Sequence, residues 1–326
     1  MAQRTKGQHV VPRFYLERFT DAQGFVWNYD FPTGAVTARK PTKTAVETNF
    51  YSPVADDGGR VDAIEEMFSQ IESDAAPLWD DLMHGKRMIG SDREQIALFI
   101  AMQHLRSPSL IEAAAKTKAM MHHHTSQFIV SDEHLFNREM DRQDSVAGVT
   151  TSLEKREQMR QQLLKPEDFT MEVSRHAGLP IIGGLANLAE VFVQMTWIVG
   201  ASRDQHLITG DCPVTRISDP KTFHRIYGDG GFANKSVRVT LPLSSDRILE
   251  LAWKGEEQER VAAVPKEMAR RLNAHRATWA KRFLYASQND TGILRLGMKW
   301  VTGEPIHVST GKEVPELVVT RRLTQD

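Results

Sequence analysis

The sequence predicts an α+β protein with a predominantly helical core, an N-terminal β-hairpin and a C-terminal, mostly antiparallel sheet. Three observations support this prediction. Alternating apolar residues flank a turn within 25–38. Apolar stripes at helical spacing run through 62–83 and 91–106. Short apolar segments bounded by turn residues recur between 197 and 253, as expected of antiparallel strands.

The hairpin is predicted from period-two alternation. Phe25, Trp27 and Tyr29 alternate with smaller or polar residues, which is typical of a half-buried strand. Pro32-Thr33-Gly34 supplies the turn.

Two helices are predicted to follow the hairpin, the first over 62–83. One apolar stripe consists of Ile64, Phe68, Ile71, Ala75, Leu78 and Leu82.

The second helix is expected to begin at a capping box, because Ser91 precedes Glu94 by three positions. It should end near Arg106, since Ser107-Pro108 follows. A further helix is predicted at 110–121. The charged, Gln-rich stretch 131–170 indicates exposed helices or an excursion that serves as a lid or an interaction surface.

The later elements predicted are a helix at 185–194, a basic amphipathic helix from Pro265 to about Tyr285, and strands at 197–199, 206–209, 237–243, 248–253, 294–300 and 316–322. We therefore expect one domain over 1–290, with a charged helical excursion near 125–180. Residues 291–326 are predicted to form a β-rich extension.

The overall charge gives no indication of a nucleic-acid-binding protein, because 41 basic and 42 acidic residues leave a net charge of −1. Basic residues nevertheless concentrate in two patches. Residues 1–43 carry seven basic and three acidic residues, and 265–282 carry six and one. These patches are either contacts for a nucleic acid or nucleotide, or ordinary solvated faces.

The sequence favours a cytoplasmic protein. Cys212 is the single cysteine, so no intramolecular disulfide can form. The first ten residues lack the apolar core of a signal peptide. The apolar region 185–201 is interrupted by polar residues, so we expect no membrane span, which would need about 20 apolar residues.

His9 is the first candidate for chemistry. It lies beside an apolar pair and a proline, in His9-Val10-Val11-Pro12. Histidine suits general acid–base catalysis near neutral pH and metal ligation. The alternative is a structural imidazole that hydrogen-bonds to the backbone and packs the N-terminal segment.

Glu65 and Glu72 lie seven residues apart and therefore share one face of the predicted helix, at the edge of its apolar stripe. Two such carboxylates can hold a hard cation or share acid–base roles. The alternative is a pair of solvated glutamates.

Gln103 occupies a position on the apolar stripe where a hydrocarbon is expected, and Arg106 follows one turn later. Arginine recognises carboxylate or phosphate through paired N–H groups. The two residues either line a pocket for an anion or form a buried network that holds helices together.

Asp211 follows an apolar segment in Leu207-Ile208-Thr209-Gly210-Asp211-Cys212-Pro213. An aspartate there is a candidate metal ligand or base, and equally a turn-forming residue that binds its own backbone. Cys212 is a weak candidate nucleophile, because no activating histidine can be assigned.

The run His122-His123-His124 does not predict a metal site, since consecutive helical residues diverge by about 100°. No nucleotide-cofactor motif is present.

The same residues carry a family resemblance. The segment 9–19, Asn49-Phe50-Tyr51-Ser52, the paired Ile-Glu at 64–65 and 71–72, the Gln-x-x-Arg-Ser-Pro helix at 103–108, the segment 207–214 and Pro242-Leu243-Ser244 occur in order. In these motifs the chain resembles a bacterial family catalogued as domain of unknown function 4238, over about residues 8–290. Gly210 and Cys212 depart from the Ser and Asn usual there. The resemblance adds Asn273 as a candidate binding residue and implies one shared site.

Together these residues favour a metal-dependent hydrolase acting on a phosphodiester or nucleotide-like substrate, such as a nuclease in a toxin or phage-defence setting. In this hypothesis His9, Arg106 and Asp211 are catalytic, and Gln103 and Asn273 bind substrate. Glu65, Glu72 and Asp211 would hold Mg²⁺ or Mn²⁺. The alternative is a non-enzymatic ligand- or protein-binding protein with a buried polar network.

Overall fold

The computed structural model describes residues 7–52, 62–165, 174–222, 231–257 and 259–299. The predicted α+β architecture is confirmed. Ten α-helices lie within these residues: α1 (Arg13–Leu16), α2 (Ala63–Ala75), α3 (Trp79–Met83), α4 (Gly90–Leu105), α5 (Pro108–Ser131), α6 (Glu133–Ala147), α7 (Leu153–Leu163), α8 (Leu185–Gln194), α9 (Lys266–Trp279) and α10 (Thr291–Met298).

The strands of the described residues form three sheets. They are β1 (Gly7–His9), β2 (Val26–Asp30), β3 (Ala35–Arg39), β4 (Val46–Thr48), β5 (Thr196–Ala201), β6 (Thr209–Gly210), β7 (Thr215–Ile217), β8 (Arg238–Pro242), β9 (Arg247–Ala252), β10 (Val261–Ala263) and β11 (Phe283–Ala286). The sheet orders are β1-β4, β10-β5-β9-β8-β7 and β3-β2-β11-β6. All pairs are antiparallel except β10 with β5.

The chain divides into two compact units. Among the described residues, the main unit takes those up to 115 and those from 175 to 299, and the helical unit takes those between 116 and 174. The helical unit contains residues 116–131 of α5, then α6 and α7. Within it, Arg156 donates to Asp141 and Asp144 at 2.7 Å each, which ties α7 to α6.

The core of the main unit is built on α4. Its Ile96, Phe99 and Ile100 are fully buried, and the helix packs closely against α8 and α2. The ring of Trp79 lies edge-on to Phe99 with 5.1 Å between centroids, and its indole N–H donates to the Leu243 carbonyl at 3.1 Å. These contacts join the helical layer to the five-stranded sheet.

Three helix predictions need correction. The helix predicted over 62–83 is interrupted by a 3₁₀ turn at Ala76–Leu78, because Pro77 cannot donate the backbone hydrogen bond of a continuing α-helix. The capping box at Ser91 is wrong. Helix α4 begins at Gly90 after Ile89, with no side-chain cap. Helix α5 runs ten residues beyond the predicted end at 121.

The C-terminal predictions also change. The basic helix ends at Trp279 rather than near Tyr285, and 283–286 form strand β11. The strand predicted at 294–300 is wrong: 291–298 form α10, whose start is capped by the Asp290 side chain accepting the Gly292 N–H at 2.7 Å. The described part of the predicted β-rich extension is therefore helical. The strand predicted at 316–322 lies outside the described residues.

One helical stretch among the described residues, Arg175–Gln194, is long and apolar enough to cross a membrane by length and composition alone. It consists of a 3₁₀ segment that contains Pro180, followed by α8. Its Ile182, Leu185 and Phe192 are buried in the core of the main unit. One third of its most apolar 18-residue window is buried.

Candidate functional site

Arg106 is the centre of a buried polar cluster at the end of α4. Its Nη1 donates to Glu72 Oε1 at 2.7 Å. With the Gln103 amide oxygen facing the guanidinium, that oxygen accepts from Nε at 3.2 Å and from Nη2 at 2.9 Å. Gln103 and Arg106 meet because they lie one helical turn apart. The two residues, predicted either to line an anion pocket or to form a buried network, thus share one buried hydrogen-bond network with Glu72.

Two aromatic residues hold Arg106 in place. Its guanidinium lies 5.4 Å from the centre of the Phe68 ring, and the Tyr51 hydroxyl donates to the Arg106 carbonyl at 3.0 Å. Phe68 and Tyr51 contact each other edge-on, with 5.0 Å between centroids. The positive charge is therefore buried on the hydrocarbon side and paired on the polar side.

Glu65 and Glu72 both face this cluster from α2, as their spacing predicted. Burial raises the pKa of Glu65 above 4.5; the charge of Arg106 opposes this shift and that of Glu72 adds to it. Glu72 is 25% exposed and carries the ion pair to Arg106. The two carboxylates therefore differ: Glu72 is paired with Arg106, and the ionised form of Glu65 is destabilised by burial.

His9 lies at the end of β1, which β4 holds by antiparallel pairing. Burial lowers the pKa of its imidazole below 6.5, while the charge of Glu72 and a hydrogen bond to the Pro41 carbonyl oppose the shift. Nε2 is buried and has no hydrogen-bond partner among the described residues. In the neutral tautomer with its proton on Nδ1, the ring keeps the lone pair on Nε2.

Gln8 orients the segment beside His9. Its Oε1 accepts the backbone N–H of Tyr51 at 2.7 Å, and its Nε2 donates to the Ser52 hydroxyl at 2.6 Å. The N-terminal motif and the Phe50-Tyr51 motif are thereby joined. Gln8 and the Tyr51 hydroxyl were not predicted as supporting residues. The position of Gln8 beside a candidate histidine and just before the apolar pair Val10-Val11 was the available signal, because a polar side chain that becomes buried there needs a hydrogen-bond partner.

We call His9, Glu65, Glu72, Gln103 and Arg106 the Arg106 cluster. It combines an imidazole of lowered pKa, a carboxyl of raised pKa and a buried cation. Perturbed ionisable groups that share one region are typical of catalytic and binding sites. The structure therefore brings together five of the seven residues predicted for the site.

Asp211 does not belong to the Arg106 cluster. Its carboxylate accepts three backbone N–H groups, from Lys281 at 2.8 Å, Arg282 at 2.7 Å and Phe283 at 3.0 Å. Burial raises its pKa to about 6, against the opposing effect of these bonds. Asp211 is placed to stabilise the start of β11. This placement does not match the predicted catalytic role or a metal site shared with Glu65 and Glu72.

Cys212 is a buried structural thiol. Its Sγ lies 2.8 Å from the Ser109 hydroxyl, and burial raises its pKa to about 12. A thiol in this state is a poor nucleophile at neutral pH. The contact does join the Asp211 turn to the segment that follows Arg106.

Asn273 is also committed to the backbone. Its Oδ1 accepts from the Ile208 N–H at 3.1 Å, and its Nδ2 donates to the His206 carbonyl at 2.7 Å. The amide holds the loop before β6 against α9. The structure therefore gives this predicted substrate-binding residue a structural task, away from the Arg106 cluster.

The basic patch at 265–282 is largely neutralised. Lys281 pairs with Glu112 at 2.6 Å, Arg282 with Asp30 at 2.7 Å and Arg270 with Glu267 at 3.0 Å. Arg276 is buried and donates to the carbonyls of Pro213 and Thr240. In the patch at 1–43, Arg13 and Arg18 also pair with acidic residues.

No group of three or more His, Cys, Asp or Glu side chains is placed to share a metal ion within the ranges that the structure describes. Of the three metal ligands predicted, Glu65 and Glu72 lie in the Arg106 cluster and Asp211 lies elsewhere. Any hard cation at the cluster would therefore depend on these two glutamates.

Two further histidines, the buried His104 of α4 and the half-buried His275 of α9, were not predicted. His275 Nε2 donates to the Arg216 carbonyl at 3.1 Å. Both rings lie near Trp279, at 6.2 and 6.3 Å between centroids. Burial lowers the pKa of each to about 4, so both are neutral at pH 7.

The comparisons with known proteins agree with the motifs. No curated protein and no solved structure is significantly similar to the chain. A family model described as "Protein of unknown function (DUF4238)" matches residues 7–290. This match covers the Arg106 cluster, the Asp211 turn and Asn273. The chain belongs to the DUF4238 family of proteins of unknown function.

Proposed function

We propose that this protein is a hydrolase acting on a phosphodiester or nucleotide-like substrate, with the Arg106 cluster as its active site. The observation that supports this proposal is the state of His9. A buried imidazole nitrogen without a partner, on a ring of lowered pKa, carries a lone pair that can accept a proton at pH 7. Such a group is a suitable general base.

The other members of the cluster supply charge and position. Arg106 keeps a positive charge beside His9 and the two glutamates, which favours a substrate with an anionic reacting group. Its guanidinium is only 1% exposed, so it would act mainly through its field. Gln103 and Glu72 then serve as positioning residues for Arg106, and Glu65 as the second ionisable group of the reaction.

Mg²⁺ or Mn²⁺ is the cofactor that we propose for the two carboxylates. Oxygen ligands suit both ions. Glu72 Oε1 is already bonded to Arg106, so a cation would use the remaining oxygens of Glu65 and Glu72. Asp211 is left out of this set, because three backbone N–H groups already bond to its carboxylate.

The test is a screen of the purified full-length chain with single-stranded DNA, RNA, nucleotides and an activated phosphodiester. Each substrate is assayed with Mg²⁺, with Mn²⁺ and with a chelator. His9→Ala and Glu65→Gln are expected to lower any hydrolysis by about 10²-fold or more, the usual contribution of a general acid or base. Glu66→Gln is the matched control, because Glu66 is an exposed neighbour on the same helix.

The hydrolase proposal fails if no substrate is cleaved under any of these conditions, or if His9→Ala and Glu65→Gln cleave like the wild type. Cleavage that survives the chelator would refute the metal part alone. The proposed setting is a bacterial toxin or phage-defence enzyme in the cytoplasm. We propose nucleic acid or nucleotide as the partner of the basic patches at 1–43 and 265–282, through those basic residues that are not paired with acidic ones.

A second candidate is a non-enzymatic binding protein, and the burial of Arg106 favours it. Asp211 and Asn273 are also committed to backbone contacts. In this case the cluster is a structural network. Thermal-shift measurements separate the two candidates: stabilisation by Mn²⁺ or a nucleotide that disappears in Glu65→Gln supports the hydrolase.

A further inference from the structure

A cavity lies in the main unit, between the first half of α9, the loop before β6 and the segment that begins α10. Its volume is about 480 Å³, within the range of small-molecule sites. Its lining residues include none of the Arg106 cluster. Ile208, Ile293 and Leu296 contribute apolar surface to it.

The walls of this cavity are fixed by side-chain bonds to the backbone. Asn273 holds the loop before β6 through the His206 carbonyl and the Ile208 N–H. Tyr29 holds the opposite wall, since its hydroxyl donates to the Gln288 carbonyl at 2.7 Å and accepts the Asp290 N–H at 2.8 Å. Preformed walls reduce the ordering cost of binding.

Opposite charges stand on the two walls. On α9, Arg270 is paired with Glu267, whereas Arg271 has no hydrogen bond or ion pair within the described part of the chain. On the other wall, Asp290 uses Oδ1 to cap α10. Its second oxygen has no hydrogen-bond partner among the described residues.

We infer that this cavity binds a small zwitterion with an aliphatic side chain, namely an amino acid or a short peptide. Arg271 takes the carboxylate, for which its planar N–H groups are suited. Asp290 takes the ammonium group. The apolar side chain of the ligand lies on Ile208, Ile293 and Leu296. The residue types fit this ligand better than a nucleotide, because the cavity offers both signs of charge and its aromatic lining is limited to the imidazole of His206, with no Phe, Tyr or Trp.

The experiment is a calorimetric titration of the full-length chain with the dipeptide Leu-Leu, with its C-terminal amide and with its N-acetyl form. Leu-Leu is expected to bind saturably, and each blocked form about tenfold or more weakly, since each loses a charge-assisted bond. Arg271→Gln should bind Leu-Leu and its amide equally. Asp290→Asn, which retains a helix-capping side chain, should bind Leu-Leu and its N-acetyl form equally.

Lys266→Gln is the control, an exposed cation of α9 that does not line the cavity, and it should bind like the wild type. Circular dichroism checks that each variant is folded. The inference is overturned if Leu-Leu does not bind, if the blocked forms bind equally well to the wild type, or if inorganic phosphate or AMP binds in an Arg271-dependent manner while Leu-Leu does not.

Discussion

Arg106 and Glu72 form an ion pair over 2.7 Å in which the arginine is 1% exposed and the glutamate 25% exposed. Because the arginine is far more buried than the glutamate, loss of its partner is costlier for the arginine. Removing the glutamate charge leaves a cation that is buried on Phe68 and bonded only to the neutral Gln103. An unpaired buried charge is one of the costlier defects in a folded protein.

We therefore expect Glu72→Gln to lower the free energy of unfolding by roughly 2–4 kcal/mol. Urea denaturation followed by circular dichroism measures it. Glu17→Gln is the control, since its pair with Arg13 is exposed and such pairs are worth about 0–1 kcal/mol. Equal effects of the two variants would show that the Arg106 pair is not specially stabilising.

The protonation of His9 can be followed without an activity assay. Burial and the charge of Arg106 lower its pKa, whereas the charge of Glu72 raises it. We expect an NMR titration of the imidazole to give a midpoint below 6.5, and a lower midpoint still in Glu72→Gln. If the protein hydrolyses a substrate, the acid side of the pH–rate profile should share that midpoint. A midpoint above 6.5 would contradict the burial of this ring.

Asp211→Ala should act on stability rather than on chemistry. The variant leaves three backbone N–H groups at the start of β11 without their acceptor. We expect a loss on the order of 3 kcal/mol in the free energy of unfolding. A variant with wild-type stability and abolished hydrolysis would instead return Asp211 to the catalytic residues.

The buried His104 and the half-buried His275 predict acid sensitivity. The pKa of both His104 and His275 is lowered from 6.5 to about 4, so between these values the unfolded chain binds more protons and stability falls as the pH falls. Each contributes a loss of about 2 kcal/mol between pH 7 and pH 5. The pKa of Asp211 is raised to about 6, so protonation of Asp211 stabilises the folded state as the pH falls below 6. Because two histidines oppose this single aspartate, we expect a net loss of stability.

Urea titrations at pH 7 and pH 5 test this balance, with His104→Gln as the variant. The wild type is expected to lose stability at pH 5, and His104→Gln should lose less between the two pH values. A pH dependence unchanged by His104→Gln would mean that this histidine is not held neutral by burial.

Gly178 predicts a packing defect. A Cβ atom there would lie 2.0 Å from the Ile111 carbonyl oxygen, whereas at Gly183 it would meet nothing within 4 Å. We expect Gly178→Ala to cost about 1–3 kcal/mol or more, and Gly183→Ala to change stability by less than about 1 kcal/mol. Thermal unfolding of both variants checks the difference.

Elements with a strong local pattern were predictable from sequence, and elements decided by distant contacts were not. The hairpin at 26–39 and helix α4 follow their apolar periods. The end of α9 does not, because it is decided by Asp211, about 70 residues earlier, which binds the N–H groups of 281–283. The alternation of apolar residues within 294–300 wrongly predicted a strand, because the Asp290 cap that starts α10 lies outside that segment.

The candidate site shows the same division. Helical spacing was enough to predict that Glu65 and Glu72 share one face of a helix, and that Arg106 lies one turn from Gln103. Motif order alone grouped Asp211 and Asn273 with them, and the structure gives both side chains hydrogen bonds to the backbone. A sequence motif does not distinguish a residue of a functional site from a residue that supports the fold. The side chains of Asp211 and Asn273 form hydrogen bonds with backbone segments that are distant in sequence, which is a supporting role.

The pairing of β2 with β11 has a consequence for synthesis. Asp30 is aligned with Phe283 and Trp27 with Ala286, so the hairpin leaves the ribosome about 250 residues before its partner strand. Until then one edge of β2 has none of its final hydrogen bonds, and an open strand edge can recruit other chains. Translation must pass residue 286 before the sheet β3-β2-β11-β6 can form, so nascent chains stalled earlier keep this strand edge open.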